Sequence, residues 1–412
     1  MLNNEESKSS AENFLFYLTS LVCSGAFLTL GFTESASESG LLFFLADNSL
    51  FPLYLFVFFF VAKNKILLKD VVRLFAKEKW LLLFIVISFS SIVWSINPKA
   101  SLKYSVIFFG STLIGIYWAS NFSVLEQCKK IIQVFLVIGI SSVACVFLSP
   151  EYGLQFDGRE GYVWRGVFDN RNKLGRTMAL GFVIALYSRV YKNLLKKLLI
   201  SSSFFFVALM TQSKTAISIS VFFIALYPII KMFKVPKKVA FFNISFLITI
   251  LIPISYWAFS NIASILLSIG RDITLSGRTI LWAYAISISY ENPVLGHGMG
   301  GFFLLIESDI ISPDWASSVH NGFIETLISF GIIGLSVISI YFISKIRKAI
   351  SLTIRYRSQI FYLPLIVVVF TFVYNFVESM MFKNFNIIWI ITVSFAASLG
   401  SGHFSERVKV SR

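Results

Sequence analysis

Residues 131–148 read IIQVFLVIGISSVACVFL, a run without a charge that follows directly on Lys129 and Lys130. A helix that crosses the hydrocarbon core needs about 20 mostly apolar residues, slightly fewer when basic neighbours snorkel to the interface. This stretch therefore reads as a transmembrane helix. Working outward by the same rule, the other spans are Phe14–Phe32, Ser49–Ala62, Trp80–Trp94, Tyr104–Ala119, Lys173–Tyr187, Leu198–Met210, Thr215–Ile230, Val239–Trp257, Gly322–Ser344, Ile360–Phe376 and Phe385–Leu399. The whole chain agrees. Apolar residues make up 56% of its 412 positions, charged residues 14%, and the mean hydropathy is +0.77. Soluble domains carry about 25% charged residues. The expected fold is an all-α, polytopic integral membrane protein of about twelve transmembrane helices. The first span has no small-residue cleavage site and is followed by others, so it is read as a retained helix.

The charges orient these spans. Lys and Arg are retained on the cytoplasmic side. With the N-terminus inside, 25 of the 36 basic residues fall in inward segments and 14 of the 21 acidic residues in outward ones. The net charge of +15 is thus a topology signal, and nucleic-acid binding is not needed to explain it. The predicted organisation is a cytoplasmic tail (1–13), spans one to nine (14–257) with a basic outward loop (149–172), a long outward loop (258–321), spans ten to twelve (322–399) and a cytoplasmic tail (400–412). The long loop exceeds ordinary connection lengths, and its Trp282 and Trp315 argue for structure in it. The three cysteines have no pair spacing, and no Cys/His spacing suits a metal.

The outward side holds the exceptions to the charge rule: Lys99, Lys103, Arg159, Arg165, Arg171, Lys173, Arg176, Lys214, Arg271, Arg278 and Lys383. Arg278, in Ser276-Gly277-Arg278-Thr279-Ile280-Leu281-Trp282, is expected to open a short helix, where a guanidinium beside backbone N–H groups suits a phosphate. Arg165, Arg171 and Arg176 crowd the start of the sixth span. Lys214 sits in a hairpin between two spans, where a lone charge is costly unless paired or wet. His320 stands where the long loop re-enters the membrane, in Val319-His320-Asn321-Gly322-Phe323-Ile324-Glu325. An imidazole there can accept a proton from a hydroxyl near neutral pH, with Asn321 placed to cap the helix. Glu325 is expensive in lipid and is expected to face the protein interior or a wet cavity. His297, in Gly296-His297-Gly298-Met299-Gly300-Gly301, reads as part of a tight turn against the membrane surface. Together these residues describe an outward-facing cationic site with one histidine at its rim, fitted to an anionic lipid headgroup such as a diphosphate.

The order of motifs carries a resemblance. R-G-x-F-x-N-x-N-x-L-G begins at Arg165, S-K-T at Ser213, G-R-x-x-x-W at Gly277, N-P-x-x-G-x-G-x-G-x-F at Asn292, and H-N-x-F-x-E-x-x-x-x-x-G-x-x-G-L at His320. In that order they resemble the O-antigen ligase and polymerase superfamily over about residues 90–345, and the first motif, with Trp94, Ser95 and Pro98, is most like the exopolysaccharide polymerase branch. The resemblance implies a glycosyltransferase of the bacterial inner membrane. It would use undecaprenyl-diphosphate-linked glycans on the periplasmic side, inverting the anomeric carbon without a metal or other cofactor. By that analogy His320 activates the acceptor hydroxyl, Arg278 and Arg165 bind the diphosphate, and Lys214 stands where members often carry Arg. Arg171 and Arg176 are expected to join the diphosphate site, with Asn321, Glu325 and Arg159 in supporting places. The implied partners are the lipid-linked donor, an acceptor glycan or glycolipid, the bilayer, a flippase and a chain-length regulator. Two alternatives stay open: ligation of the glycan to lipid A–core, and a flippase or transporter that uses the basic residues as a path.

Overall fold

The computed structural model describes residues 9–27, 50–158, 160–232, 278–301, 319–356 and 362–401. The ninth expected span, most of the long outward loop, Arg159 and most of both tails lie outside them. Among the described residues the regular structure is helical apart from one two-stranded hairpin. Helices α1 (Ser10–Ser24), α2 (Leu50–Lys63), α3 (Lys65–Ala76), α4 (Lys79–Ser90), α5 (Pro98–Asn121) and α6 (Val124–Leu148) precede it. The hairpin is β1 (Leu154–Asp157) and β2 (Gly161–Trp164). Helices α7 (Arg171–Tyr187), α8 (Leu194–Met210), α9 (Lys214–Met232), α10 (Arg278–Ser289), α11 (Gly322–Tyr356), α12 (Tyr362–Tyr374) and α13 (Ile387–Ser398) follow.

Helices α5, α6 and α11 are long and apolar enough to cross a membrane, and α2 with α3 would make a further span if that bent pair were one. The bend between them is 111°. The sequence reading treats 63–79 as an inward connection. Instead α3 is an amphipathic helix with Leu67, Val71 and Leu74 buried, started by Asn64, whose side chain accepts from the N–H groups of Ile66 and Leu67. Local signals set the other boundaries. Ser123 and Glu126 form a reciprocal capping box at the start of α6, and Asn97 caps α5, with Pro98 in its first turn.

The core is aromatic and sparsely polar. Trp389 of α13 is fully buried and donates to Thr112 of α5 at 3.1 Å, and Trp118 donates to Thr19 of α1 at 3.3 Å. An indole buried in an apolar bundle needs such a partner. Lys345 of α11 is buried and ion-paired with Glu78, the residue before α4, its Nζ 2.5 Å from Oε1. The charge reading counts Lys345 among loop cations; the fold makes it an internal tie between two helices.

Helix α11 is broken. Gly331 has φ 61° and ψ −163°, a conformation open only to glycine. The break frees carbonyls from the helical ladder, and at such depth they need partners within the protein. The glycine-rich segment supplies them: the N–H groups of His297 and Gly298 donate to the carbonyls of Ile328 and Ser329 at 2.8 and 3.0 Å. The N–H of Ile332 donates to the Pro293 carbonyl at 2.9 Å. This segment is therefore not a surface turn. His297 is 1% exposed and packed inside. A Cβ on Gly331 would lie 2.2 Å from the Val294 backbone. Gly331→Ala is accordingly expected to destabilise the fold by on the order of 3 kcal/mol, read as lost monodisperse protein and a lowered unfolding temperature in detergent. A variant that melts like the wild type would show that the break is not required.

Candidate active site

The site forms where the entry to α11 meets the connection between α12 and α13. Asn321 caps α11, its Oδ1 accepting from the N–H groups of Phe323 and Ile324 at 3.0 and 3.1 Å. Its Nδ2 donates to the Phe376 carbonyl at 3.1 Å, and the Gly322 N–H donates to the Asn375 carbonyl at 2.8 Å. These bonds clamp 320–322 against 375–378. Between them His320 adopts φ 52°, a left-handed conformation uncommon for a residue with a side chain. Strain of this kind concentrates at functional sites, because the surrounding contacts must hold it in place.

The clamp sets the His320 side chain against Glu378. Imidazole Nδ1 lies 3.0 Å from Oε1, and Arg278 Nη2 lies 3.8 Å from Oε2 of the same carboxylate. Arg278 Nη1 also donates to the Val377 carbonyl at 2.6 Å. Arg278 is the first residue of α10, as expected, and Trp282 of that helix donates to the carbonyl of Val319 at 2.9 Å, tying α10 to the residue before His320. Arg176, in the second turn of α7, is close enough for its charge to act on Glu378. Burial alone would raise the carboxyl of Glu378. The hydrogen bond from His320 and the charges of His320, Arg278 and Arg176 outweigh it and hold the group down at about 2. Glu378 is therefore an anion at any physiological pH. A carboxylate can only accept, so the Nδ1 position carries the hydrogen, and in the neutral tautomer of such a ring the lone pair lies on Nε2.

Glu325 is buried, as expected of an acid in a spanning helix, and accepts from the Ser379 hydroxyl one residue beyond Glu378. Thus His320, Arg278, Arg176, Asn321 and Glu325 gather around residues 375–379.

Arg165, Arg171 and Lys214 are held elsewhere, on the hairpin. Arg165 donates to the carbonyls of Tyr152 and Glu151 at 2.9 and 3.1 Å. Arg171 pairs with Asp157 at 2.7 Å, and Lys214 with Glu160 at 3.0 Å. The acids of the hairpin take up Arg171 and Lys214, and backbone carbonyls take up Arg165, which corrects the expectation of one undivided cationic pocket. The first two turns of α7 bridge the groups, with Arg171 at the hairpin and Arg176 at Glu378. Arg171 Nη1 is buried and has no hydrogen-bond partner among the described residues.

Glu378 was not singled out from the sequence. Its available signal was modest: an acid in Asn375-Phe376-Val377-Glu378-Ser379, a short outward connection between two apolar spans.

Fold and geometry together define a class: a multi-pass helical membrane protein with a His–Glu–Arg cluster at the mouth of a broken helix. Residues 198–339 match the family model described as O-antigen ligase, a stretch that includes Lys214, Arg278, His320 and Glu325 and ends before Glu378. The chain is also 23% identical over 288 residues to the exopolysaccharide production protein ExoQ of Rhizobium meliloti (strain 1021). That match covers 66% of this chain and 65% of the relative, just under two thirds of its length. Both findings bear out the resemblance to the O-antigen ligase and polymerase superfamily.

Proposed function

We propose that this protein transfers a glycan from a polyprenyl diphosphate, undecaprenyl diphosphate in bacteria, to a sugar hydroxyl, acting as a polymerase of surface polysaccharide on the periplasmic face of the inner membrane. The observation that carries the proposal is the hydrogen bond from His320 Nδ1 to the Glu378 carboxylate beside Arg278. A base oriented by a buried acid is the arrangement that activates a hydroxyl.

In the reaction, Nε2 of His320 takes the acceptor's proton as its oxygen attacks the anomeric carbon. The bond from that carbon to the diphosphate oxygen breaks, and the diphosphate leaves with the electron pair. One displacement inverts the anomeric centre. Arg278 and Arg176 stabilise the charge that develops on the leaving group. Two guanidinium groups face one carboxylate, so the cluster keeps a positive excess for an anionic donor. Arg171 and Lys214 guide the lipid diphosphate along α7. We assign no metal to the step. The partners in this reading are the lipid-linked donor, the growing glycan, the bilayer, a flippase that delivers the donor and a chain-length regulator.

Deleting the gene tests the reading in cells. Loss of long chains while single repeats persist supports a polymerase; full-length polymer stranded on the lipid carrier would point to ligation onto lipid A–core; unchanged surface glycan would remove the proposal. The topology it needs is tested separately in intact spheroplasts. A cysteine at Gly158, in the exposed hairpin turn, is expected to react with an impermeant maleimide, and one at Ile66, 77% exposed on α3, only after lysis. The reverse pattern would put the site on the wrong side.

A further inference from the structure

The hairpin that holds the basic residues has a second face with no part in that role. Its register pairs Leu154 with Trp164, Gln155 with Val163, Phe156 with Tyr162 and Asp157 with Gly161. Side chains alternate along a strand. Gln155, Asp157 and Val163 therefore share the face turned to the protein. Val163 is fully buried, Gln155 accepts from the N–H of Arg171 at 3.0 Å, and Asp157 pairs with its guanidinium. Leu154, Phe156, Tyr162 and Trp164 share the other face. Phe156 and Tyr162 are 67% and 71% exposed, with their rings edge to face 5.5 Å apart.

The surroundings of this face indicate what covers it. Trp164 packs against Phe147 of α6 at 6.0 Å and Phe206 of α8 at 6.1 Å between ring centroids. Phe147 and Leu148 are the last two residues of α6, a helix long and apolar enough to span, and both point outward, 71% and 82% exposed. The aromatic face thus continues the flank that α6 turns to lipid. It carries no carboxylate, amide or cation, and among the described residues the hairpin's pairs with Arg171 and Lys214 lie on the opposite face and at the turn. A seat for sugar would need hydrogen-bonding groups around the rings; an interfacial belt needs amphipathic aromatics at the headgroup level.

We infer that the Leu154–Phe156–Tyr162–Trp164 face is a lipid anchor, seated among the headgroups and upper acyl chains of the adjacent leaflet. The hairpin then acts as a float. Its inner face holds Arg171 and its turn holds Lys214 at the depth where lipid phosphates lie, and the hairpin cannot rise from the surface without exposing its aromatic face. This inference needs only a bilayer around the helices and is independent of the proposed reaction.

The test places a nitrobenzoxadiazole label on a single added cysteine, in the full chain reconstituted into nanodiscs of phosphatidylethanolamine and phosphatidylglycerol. Native Cys23, Cys128 and Cys145 are buried, and unlabelled-site background is taken from the wild type. For Phe156→Cys and Tyr162→Cys we expect blue-shifted emission, with quenching by lipid nitroxides near the top of the acyl chain at least about threefold stronger than by aqueous iodide. Lys99→Cys, at an exposed polar position, should show the opposite order. Unfolding curves matching the wild type establish that each labelled variant is folded. Iodide quenching at 156 and 162 as strong as at 99 would overturn the anchor. So would protection from iodide by soluble oligosaccharide without any lipid quenching, which would make the face a carbohydrate seat.

Discussion

Alanine in place of His320 is expected to lower turnover by about 100- to 10,000-fold while donor binding persists, because that is what an aligned general base contributes. A sugar hydroxyl is a poor nucleophile, whereas a diphosphate already departs readily, so the acceptor side is where one side chain helps most. The comparison that makes the result specific is His297→Ala. His297 is buried 3.6 Å from Glu291 and beside the broken turn of α11, so its loss should lower stability and leave turnover per folded molecule near that of the wild type. Purified protein with lipid-linked donor and acceptor in detergent, without ATP and with chelator present, measures both. Full activity of folded His320→Ala would take the histidine out of the mechanism and reopen the flippase reading, in which no proton is abstracted.

Glu378→Gln should have the next largest effect, a loss in kcat approaching the roughly 10,000-fold seen when the acid that orients a base histidine is made an amide. Glutamine is nearly isosteric, but its amide can present N–H to Nδ1 and favour the wrong tautomer. Glu378 does not touch the reacting atoms in this scheme; it is a positioning residue. A purely structural role would lower yield and turnover together. The positioning role lowers kcat in the folded fraction and is partly restored by Glu378→Asp. The same residue has an acid signature. Its folded-state value of about 2 lies below the ordinary 4.5, so the stability it contributes is present above about pH 4.5 and is lost as pH falls toward 2. The wild type should therefore exceed Glu378→Gln by on the order of 3 kcal/mol at neutral pH, a margin that closes across that window. A margin independent of pH between 5 and 2 would contradict the charged pair.

Much of the site was legible without coordinates, and the part that was not has a common cause. Composition and the inward bias of Lys and Arg depend on each segment's transfer between water and lipid, and such preferences can be read residue by residue. Hence the membrane class, the helices at 131–148 and 322–344, the start of a helix at Arg278, the cap at Asn321 and the burial of Glu325 all follow from local sequence. What pairs with what is a property of the path of the chain. Glu378 lies 58 residues beyond His320, and neither periodicity nor charge sorting distinguishes it from the other outward acids. Arg165, Arg171 and Lys214 look like one pocket with Arg278 in sequence, yet a short hairpin supplies Asp157 from its first strand and Glu160 from its turn and makes two of those cations hairpin supports. Gly331 resembles any helical glycine until the segment 293–298 is seen donating to and accepting from the broken turn. Sequence by itself determined the membrane class and its long apolar helices, because solvation is local. Only the tertiary structure decided which charges meet, because a 3 Å hydrogen bond between distant residues depends on every helix packed between them.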